Sequence, residues 1–499
     1  MRDNTILLNC DFDMEYYFLK YYASPETAKD KAAEFLDRYY KDRGIGDILF
    51  NIFSQSSVTP TLVFTDTVAK LHTRCENGIA VDYSGCEYLA LKAAPREKYG
   101  VGLTELWIEH CKEIGIRPWF SVRMNDHHYC REQTSFLRGD FFYEALKNGW
   151  VLGDGYRSGF RDWDYAVPQV RQKMLDYISE QLDALDVYGV ELDFMREPKC
   201  VKYKDPGDHC AVMTSFMESV KAVVAKKEAK RGHPIRIAAR LPRDPMLARR
   251  IGFDAREWAR LGVIDAVSPS GHWLCTDNAM PIAEWADMLS PYGTEVWAGM
   301  EMNLPERLMI TAETAKAHTA QYAAQGSART YVYNLYHPFF DKVENYRGIW
   351  AKALTADEIT RLWEVCGDPE KCSKGVRRHV VTEESTGFQE IKPRFHPLPL
   401  TLGEGAVLEV QTGPIGENDV VTVFLRADNA GELEISFNGW RCPPSDDKDA
   451  DVLRSGVSPD SVISFRVPAP LSEKVSQTLW LTGRPDAVIK YVEIKIDAK

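Results

Sequence analysis

The 499-residue sequence has no glycine-rich phosphate loop, no Gly-x-Ser-x-Gly elbow and no His-Glu-x-x-His pair. Their absence removes the common signatures of nucleotide binding, serine hydrolysis and zinc proteolysis. Uninterrupted apolar runs of membrane-helix length are also missing. Between Met1 and Asp13 there is no basic segment followed by an apolar stretch and a cleavage site, so the chain as given is expected to be cytoplasmic; a trimmed secretion signal would leave the same trace. Positive charge is in short supply: 61 Lys and Arg against 73 Asp and Glu leave a net charge of −12. Nucleic-acid binding draws its non-specific affinity from clustered cations, so such a partner is not expected. The eleven cysteines form no zinc-like pair of pairs, and an odd number cannot all close into intramolecular disulfides. Reduced thiols are the expectation, with Cys366 and Cys372 the one close pair.

What is present suits a large globular fold. Hydrophobic residues make up 44% and aromatics 11%, enough for a packed core with rings left over for ligand contacts. Up to Cys366, short β-rich runs alternate with longer amphipathic ones, the pattern of a parallel sheet with helical crossovers. Strands are expected at Thr5–Cys10, Ile48–Phe53, Arg117–Val122, Tyr188–Asp193, Ile235–Leu241, Ile264–Ser268, Glu295–Met300 and Thr330–Asn334. Eight such strands predict a closed (β/α)8 barrel of the TIM type over residues 1–366. Helix punctuation agrees: Ser24-Pro25 opens a stretch whose apolar face is Ala28, Ala32, Phe35, Leu36 and Tyr39 and which Gly44 follows. Thr104–Ile114 ends at Gly115, and Thr311–Gln325 at Gly326. A charged stretch over 367–387 reads as a linker. Beyond it, short strands near Ala406–Val410, Val420–Ala427, Leu433–Phe437, Val462–Val467, Gln477–Leu481 and Ile489–Ile496 predict an all-β sandwich over 388–499.

Chemistry concentrates in Tyr188-Gly189-Val190-Glu191-Leu192-Asp193-Phe194-Met195-Arg196-Glu197-Pro198. Residues two apart on a strand share a face, so Glu191 and Asp193 point together while Val190, Leu192 and Phe194 point away. The same alternation on the other strands puts apolar residues such as Phe120, Val122, Ile237, Ala239, Val296 and Ala298 outward. The opposite parity holds Asn9, Asp11, Asn51, Arg123, Glu191, Asp193, Arg240, Ser268, Ser270, Glu301, Asn303 and Asn334. Polar groups gathering at the C-terminal end of barrel strands mark the catalytic end of this architecture. Asp193 and Glu301 are the expected catalytic pair, able to flank a glycosidic bond as proton donor and as nucleophile or base. Glu191 sits about 6.6 Å deeper. With Arg123 and Arg240 on the flanking strands, at least one guanidinium is expected to reach it, which makes it a core ion pair or a support for the site. Asn125, His127, Arg196, His272, Trp273 and His337 complete the expected substrate-binding set, with Trp273 directly following a strand end. His127 and His128 are adjacent and diverge, so they do not read as two ligands of one metal. The first strand lacks the His-x-His of metal-dependent barrel hydrolases, so neither metal nor cofactor is expected.

The segment Trp163-Asp164-Tyr165-Ala166-Val167-Pro168-Gln169-Val170-Arg171, followed by a helix and then the acidic strand end at Asp193, resembles the bacterial family 10 glycosyl hydrolase-like barrel proteins. Arg123-Met124-Asn125-Asp126 and Glu301-Met302-Asn303 echo the likeness. The resemblance implies a carbohydrate-active barrel with an accessory sandwich. The strand-four Asn-Glu of the large retaining clan with acids on strands four and seven is replaced here by Leu192-Asp193. An aspartate at this place is similar to the strand-four nucleophile of several α-glycosidase groups, which implies Asp193 as nucleophile and Glu301 as acid/base. Leu433–Trp440 is similar to sandwich domains that accompany glycosidases. Three readings stay open on the sequence: a glycoside hydrolase of oligo- or polysaccharides, a barrel that binds carbohydrate without cleaving it, and a lyase or isomerase with a histidine base.

Overall fold

A computed structural model describes residues 6–10, 27–66, 75–76, 79–80, 96, 102–126, 139–152, 162–202, 206–272, 276–301, 303–304, 308–333, 356–382, 397–469 and 471–499. Eight parallel strands close into a barrel: β1 (Ile6–Cys10), β2 (Ile45–Phe53), β3 (Arg117–Arg123), β4 (Gly189–Asp193), β5 (Arg236–Pro242), β6 (Ala266–Ser270), β7 (Glu295–Met300) and β8 (Arg329–Tyr333). Each pairs with its sequence neighbour in the barrel, and β8 closes on β1 with Ile6 opposite Thr330 and Asn9 opposite Tyr333.

The crossovers form where the sequence punctuates them. Helix α1 (Ala28–Tyr39) begins at Ala28; the Ser24-Pro25 cap lies outside the described residues. Helix α2 (Leu103–Glu113) is followed by Gly115 at φ +78°, a left-handed turn that an L side chain rarely adopts. Pro168 stands at the first turn of α3 (Pro168–Ala184), whose Val170, Met174, Ile178 and Leu182 are buried. Thr311 caps α4 (Ala312–Ala323) by a reciprocal box with Thr314.

Inside the barrel, the inward parity divides into layers. The lower layer is a polar plug. Asp47 accepts from Arg117 at 2.8 Å, from Trp119 Nε1 at 2.7 Å and from Arg329. Glu295 accepts from Arg236 at 3.0 Å and from Trp297 Nε1 at 2.7 Å. Trp119 and Trp297 meet edge to face at 5.7 Å. Both tryptophans therefore fill the base instead of lining the mouth, because they stand early in their strands. Gly189 lies opposite Trp119 in register, and a Cβ there would overlap the indole.

The C-terminal β-domain is a sandwich. Its larger sheet orders β9 (Gly375–Val380), β18 (Val488–Ala498), β12 (Val420–Asp428), β16 (Val462–Arg466) and β15 (Pro444–Ser445), with β10 (Leu400–Thr401) also on β18. The smaller sheet orders β11 (Ala406–Gln411), β17 (Ser476–Thr482), β13 (Glu434–Phe437) and β14 (Trp440–Cys442). Val423, Leu425 and Ile494 from one sheet pack with Leu408, Phe437 and Leu479 from the other. Strand β9 falls inside the stretch 367–387 read as a linker. Its Arg377 and Arg378 look like loop residues, yet both are buried; Arg378 pairs with Glu493 at 2.8 Å, Asp449 at 2.7 Å and Glu313 of α4. The sandwich thus starts before residue 388 and is packed on the barrel: Val380, Phe424, Val452 and Tyr491 share the core of the barrel helices. Cys366 and Cys372 are buried and form no disulfide.

Candidate active site

The mouth is built by the last inward residues of each strand. Arg240 of β5 stands at its centre, 1% exposed. Its Nη1 lies 3.3 and 3.4 Å from the two oxygens of Asp193, its Nη2 donates to Glu301, and its Nε donates to Ser270 Oγ at 3.2 Å. Carboxylates from β4 and from the end of β7 thereby meet at one guanidinium. Asp193 and Glu301 are each about 1% exposed. Asp193 is further fixed by the Met195 backbone N–H, 2.8 Å from Oδ1. The Glu301 carbonyl accepts from Thr276 Oγ1 at 2.5 Å. Gly299, two residues below Glu301, sits where a Cβ would overlap Ser270 Oγ, so only glycine lets β6 and β7 close up beneath the acids. Burial lowers and the two carboxylates raise the pKa of Arg240, and the net is upward: it remains a cation.

The second guanidinium of the mouth, Arg123, donates to Asp126 at 3.1 Å, Ser54 Oγ at 3.2 Å and Tyr333 OH at 3.0 Å. Asp126 also lies 3.9 Å from Arg196, so the two arginines share one carboxylate. Neither Arg123 nor Arg240 ion-pairs with Glu191. This corrects the expectation of a buried Glu–Arg pair: both guanidiniums are drawn to acids higher in the barrel. Glu191 is fully buried and accepts at Oε2 from Asn9 Nδ2 at 2.5 Å and Ser121 Oγ at 2.6 Å. Burial and the charge of Asp193 push its pKa up to about 7, against the pull of Ser121, Tyr331 and Arg240.

Asn125 joins two loops beside the mouth. Its Nδ2 donates to the Trp163 carbonyl at 3.1 Å and the Lys199 carbonyl at 2.8 Å, and its Oδ1 accepts from the Trp163 N–H at 3.0 Å. The side chain pins two loops together, which uses both ends of the amide. Asn51 turns to the chain after it, accepting from Phe53 N at 3.3 Å. His272 and Asn303 are half-buried at the ends of β6 and β7. Asp11, His127, Trp273, Asn334 and His337 lie outside the described residues.

Three participants escape a reading of the sequence. Tyr331 and Tyr333 occupy the inward parity of β8, with Arg240 lying 3.7 Å above the Tyr333 ring. Ser121 sits between Phe120 and Val122 and faces Glu191. The signal available is alternation itself: Tyr331 and Tyr333 share a parity, whereas the expectation rests on Asn334.

Fold and site together define a (β/α)8 barrel carrying an acid–guanidinium cluster at its C-terminal mouth and a C-terminal β-sandwich. No protein-family model matches the chain, and no curated protein matches it either. Among solved structures it is similar to an α-amylase from Geobacillus thermoleovorans complexed with acarbose, with a TM-score of 0.40, 10% identity and 98% of each chain covered. It is also similar to the PgaB (BpsB) glycoside hydrolase domain from Bordetella bronchiseptica, with a TM-score of 0.39 and 12% identity over 69% of this chain and 98% of that one. A cycloisomaltooligosaccharide glucanotransferase from Paenibacillus sp. gives a TM-score of 0.37 and 9% identity; 98% of this chain is covered, and it spans 57% of that one.

Proposed function

We propose that the chain is a glycoside hydrolase acting on an oligo- or polysaccharide at the barrel mouth, with Asp193 as nucleophile and Glu301 as acid/base. One observation carries the reading: carboxylates from β4 and from the end of β7 converge on Arg240 at the C-terminal end of the strands. Glycosidic cleavage needs one ionised carboxylate facing the positive charge that develops on the sugar and a second carboxyl that gives and takes a proton. Arg240 pairs with Asp193, the carboxylate placed for the first role. Glu301 shares the same guanidinium through Oε1, and sugar hydroxyls entering the mouth are competing acceptors for those N–H groups. Arg123 and Arg196, linked through Asp126, supply further donors on the β3 and β4 side.

A second reading, a barrel that binds carbohydrate without cleaving it, is favoured by the burial of both acids and their common guanidinium. A glycan-library screen of wild type, Asp193→Asn and Glu301→Gln, scoring both binding and reducing-end release, separates the two. Hydrolysis predicts release by wild type that falls by orders of magnitude in either variant while binding persists. Binding without release in all three chains would remove the hydrolase reading.

A further inference from the structure

Three acids line the inward face near the mouth, and Arg240 serves two of them. The third, Glu191, makes no ion pair among the described residues. The groups that face it are Asn9 of β1, Ser121 of β3, Asp193 of its own strand, Arg240 of β5 and Tyr331 of β8. Their donors converge on one oxygen. Oε2 accepts from Asn9 and Ser121, whereas Oε1 is buried with no partner, as is the Oδ1 of the adjoining Asn9. An ionised carboxylate here would hold a bare, charged oxygen away from water and beside the charge of Asp193, which is costly. A carboxylic acid with its proton on Oε1 removes the charge. Burial and Asp193 act in that same direction on its titration.

We propose that Glu191 is a positioning residue that works as a neutral carboxylic acid beneath Asp193, leaving the one guanidinium of Arg240 two carboxylates to hold instead of three. The proposal rests on the mouth being the reaction centre. When hydroxide takes the Oε1 proton and leaves as water, a third negative charge competes for Arg240, and the pairing that orients Asp193 and Glu301 loosens. Glu191 thereby sets the alkaline limit of the site without touching substrate.

Infrared difference spectra of the full chain, wild type against Glu191→Gln, read the proton directly and need no substrate. The expected result is a carboxylic-acid carbonyl band present near pH 6, lost as the pH rises through neutrality, and missing from Glu191→Gln. Absence of the band near pH 6, or its persistence in Glu191→Gln, overturns the proposal. Ser121→Ala, which removes a donor to Oε2, is expected to move the loss of the band to higher pH; an unmoved band also overturns it. With a glycan that is turned over, kcat of wild type falls on the alkaline side of neutrality, and that fall is lost in Glu191→Gln. A fall of the same midpoint in both chains overturns the positioning role. If no glycan is cleaved, the hydrolase reading fails by itself while the band still decides the protonation of Glu191.

Discussion

Arg240 lies over the ring of Tyr333, its guanidinium carbon 3.7 Å from the ring centroid. The ring face is the negative end of the aromatic quadrupole, so the contact is attractive. Above that ring its two terminal nitrogens reach different acids, Asp193 and Glu301. The phenol of the same tyrosine accepts from Arg123. One side chain of β8 thus holds two cations of the mouth, one on its face and one on its hydroxyl.

Removing Arg240 should therefore cost more than a hydrogen bond. Arg240→Met takes its guanidinium from buried Asp193 and Glu301, and breaking such a pair from one side costs about 3–5 kcal/mol. Adding Asp193→Asn and Glu301→Gln to Arg240→Met should restore a large part of that loss, since the stranded charges are then gone. Denaturant unfolding of the single and triple variants checks both steps. A single variant as stable as wild type would show that the cluster contributes nothing to folding.

Much of this arrangement is legible in the sequence because a barrel strand imposes period two. Val190, Leu192, Ile237 and Ala239 had to face the helices, so Asp193 and Arg240 had to face the axis, and they do. Helix ends were legible where backbone geometry demands a residue type, as at Gly115. Alternation gives a face but no partner, however. It could not tell that Arg240 would choose Asp193 and Glu301 over Glu191, because that depends on depth and on the tilt of neighbouring strands. Tyrosines carry both core and site character, so Tyr331 and Tyr333 were hidden among apolar residues. Strand β9 was hidden for the opposite reason: Arg377 and Arg378 read as solvated, and only long-range contacts to Pro414, Glu313, Asp449 and Glu493 make them buried.

The base of the barrel should control stability independently of any chemistry at the mouth. Asp47 is four residues before Asn51 on β2, so about 13 Å of strand separates the plug from the mouth. Burial raises the pKa of Asp47, but Arg329 and Arg117 outweigh it and the net shift is downward. Its stabilisation is then fully present above the unfolded-state pKa of 3.8 and is lost as pH falls through the lower folded value. Asp47→Asn is expected to destabilise by roughly 3 kcal/mol at neutral pH. The gap should close in acid, with glycan affinity unchanged. Unfolding midpoints measured across pH test this, and a gap that stays constant into strong acid would rule it out.

Asn125 should behave as a strut. Asn125→Ala abandons the Trp163 N–H and two carbonyls in a buried place, a loss of about 1–3 kcal/mol. Limited proteolysis should then cut the chain near Trp163 or Lys199 faster than in wild type. Asn125→Asp keeps an acceptor for the Trp163 N–H but has no donor for the carbonyls, so it should not rescue. A side chain acting on substrate alone would leave proteolysis unchanged.

Acid should weaken the contact between barrel and sandwich through two histidines. His318 of α4 has Nδ1 3.3 Å from Asn278 Oδ1 and meets the Tyr322 ring edge-on at 4.6 Å. His379 of β9 has Nδ1 3.0 Å from Gln321 Oε1 across the interface. Burial drives the pKa of His318 down to about 3; burial, with Arg377 beside it, holds His379 well below the ordinary imidazole range. Both are neutral when folded and must gain a proton when unfolded. Because the folded values are depressed, the stability they contribute is complete above the unfolded pKa of 6.5 and is lost as pH falls toward the folded values. Each histidine contributes a slope of up to about 1.4 kcal/mol per pH unit over that interval. A double variant, His318→Gln with His379→Gln, is less stable at neutral pH but should lose stability more slowly than wild type between pH 6.5 and about 4. Thermal unfolding of the two chains over that range measures the difference in slope, and parallel curves would show that these imidazoles are not what acid attacks.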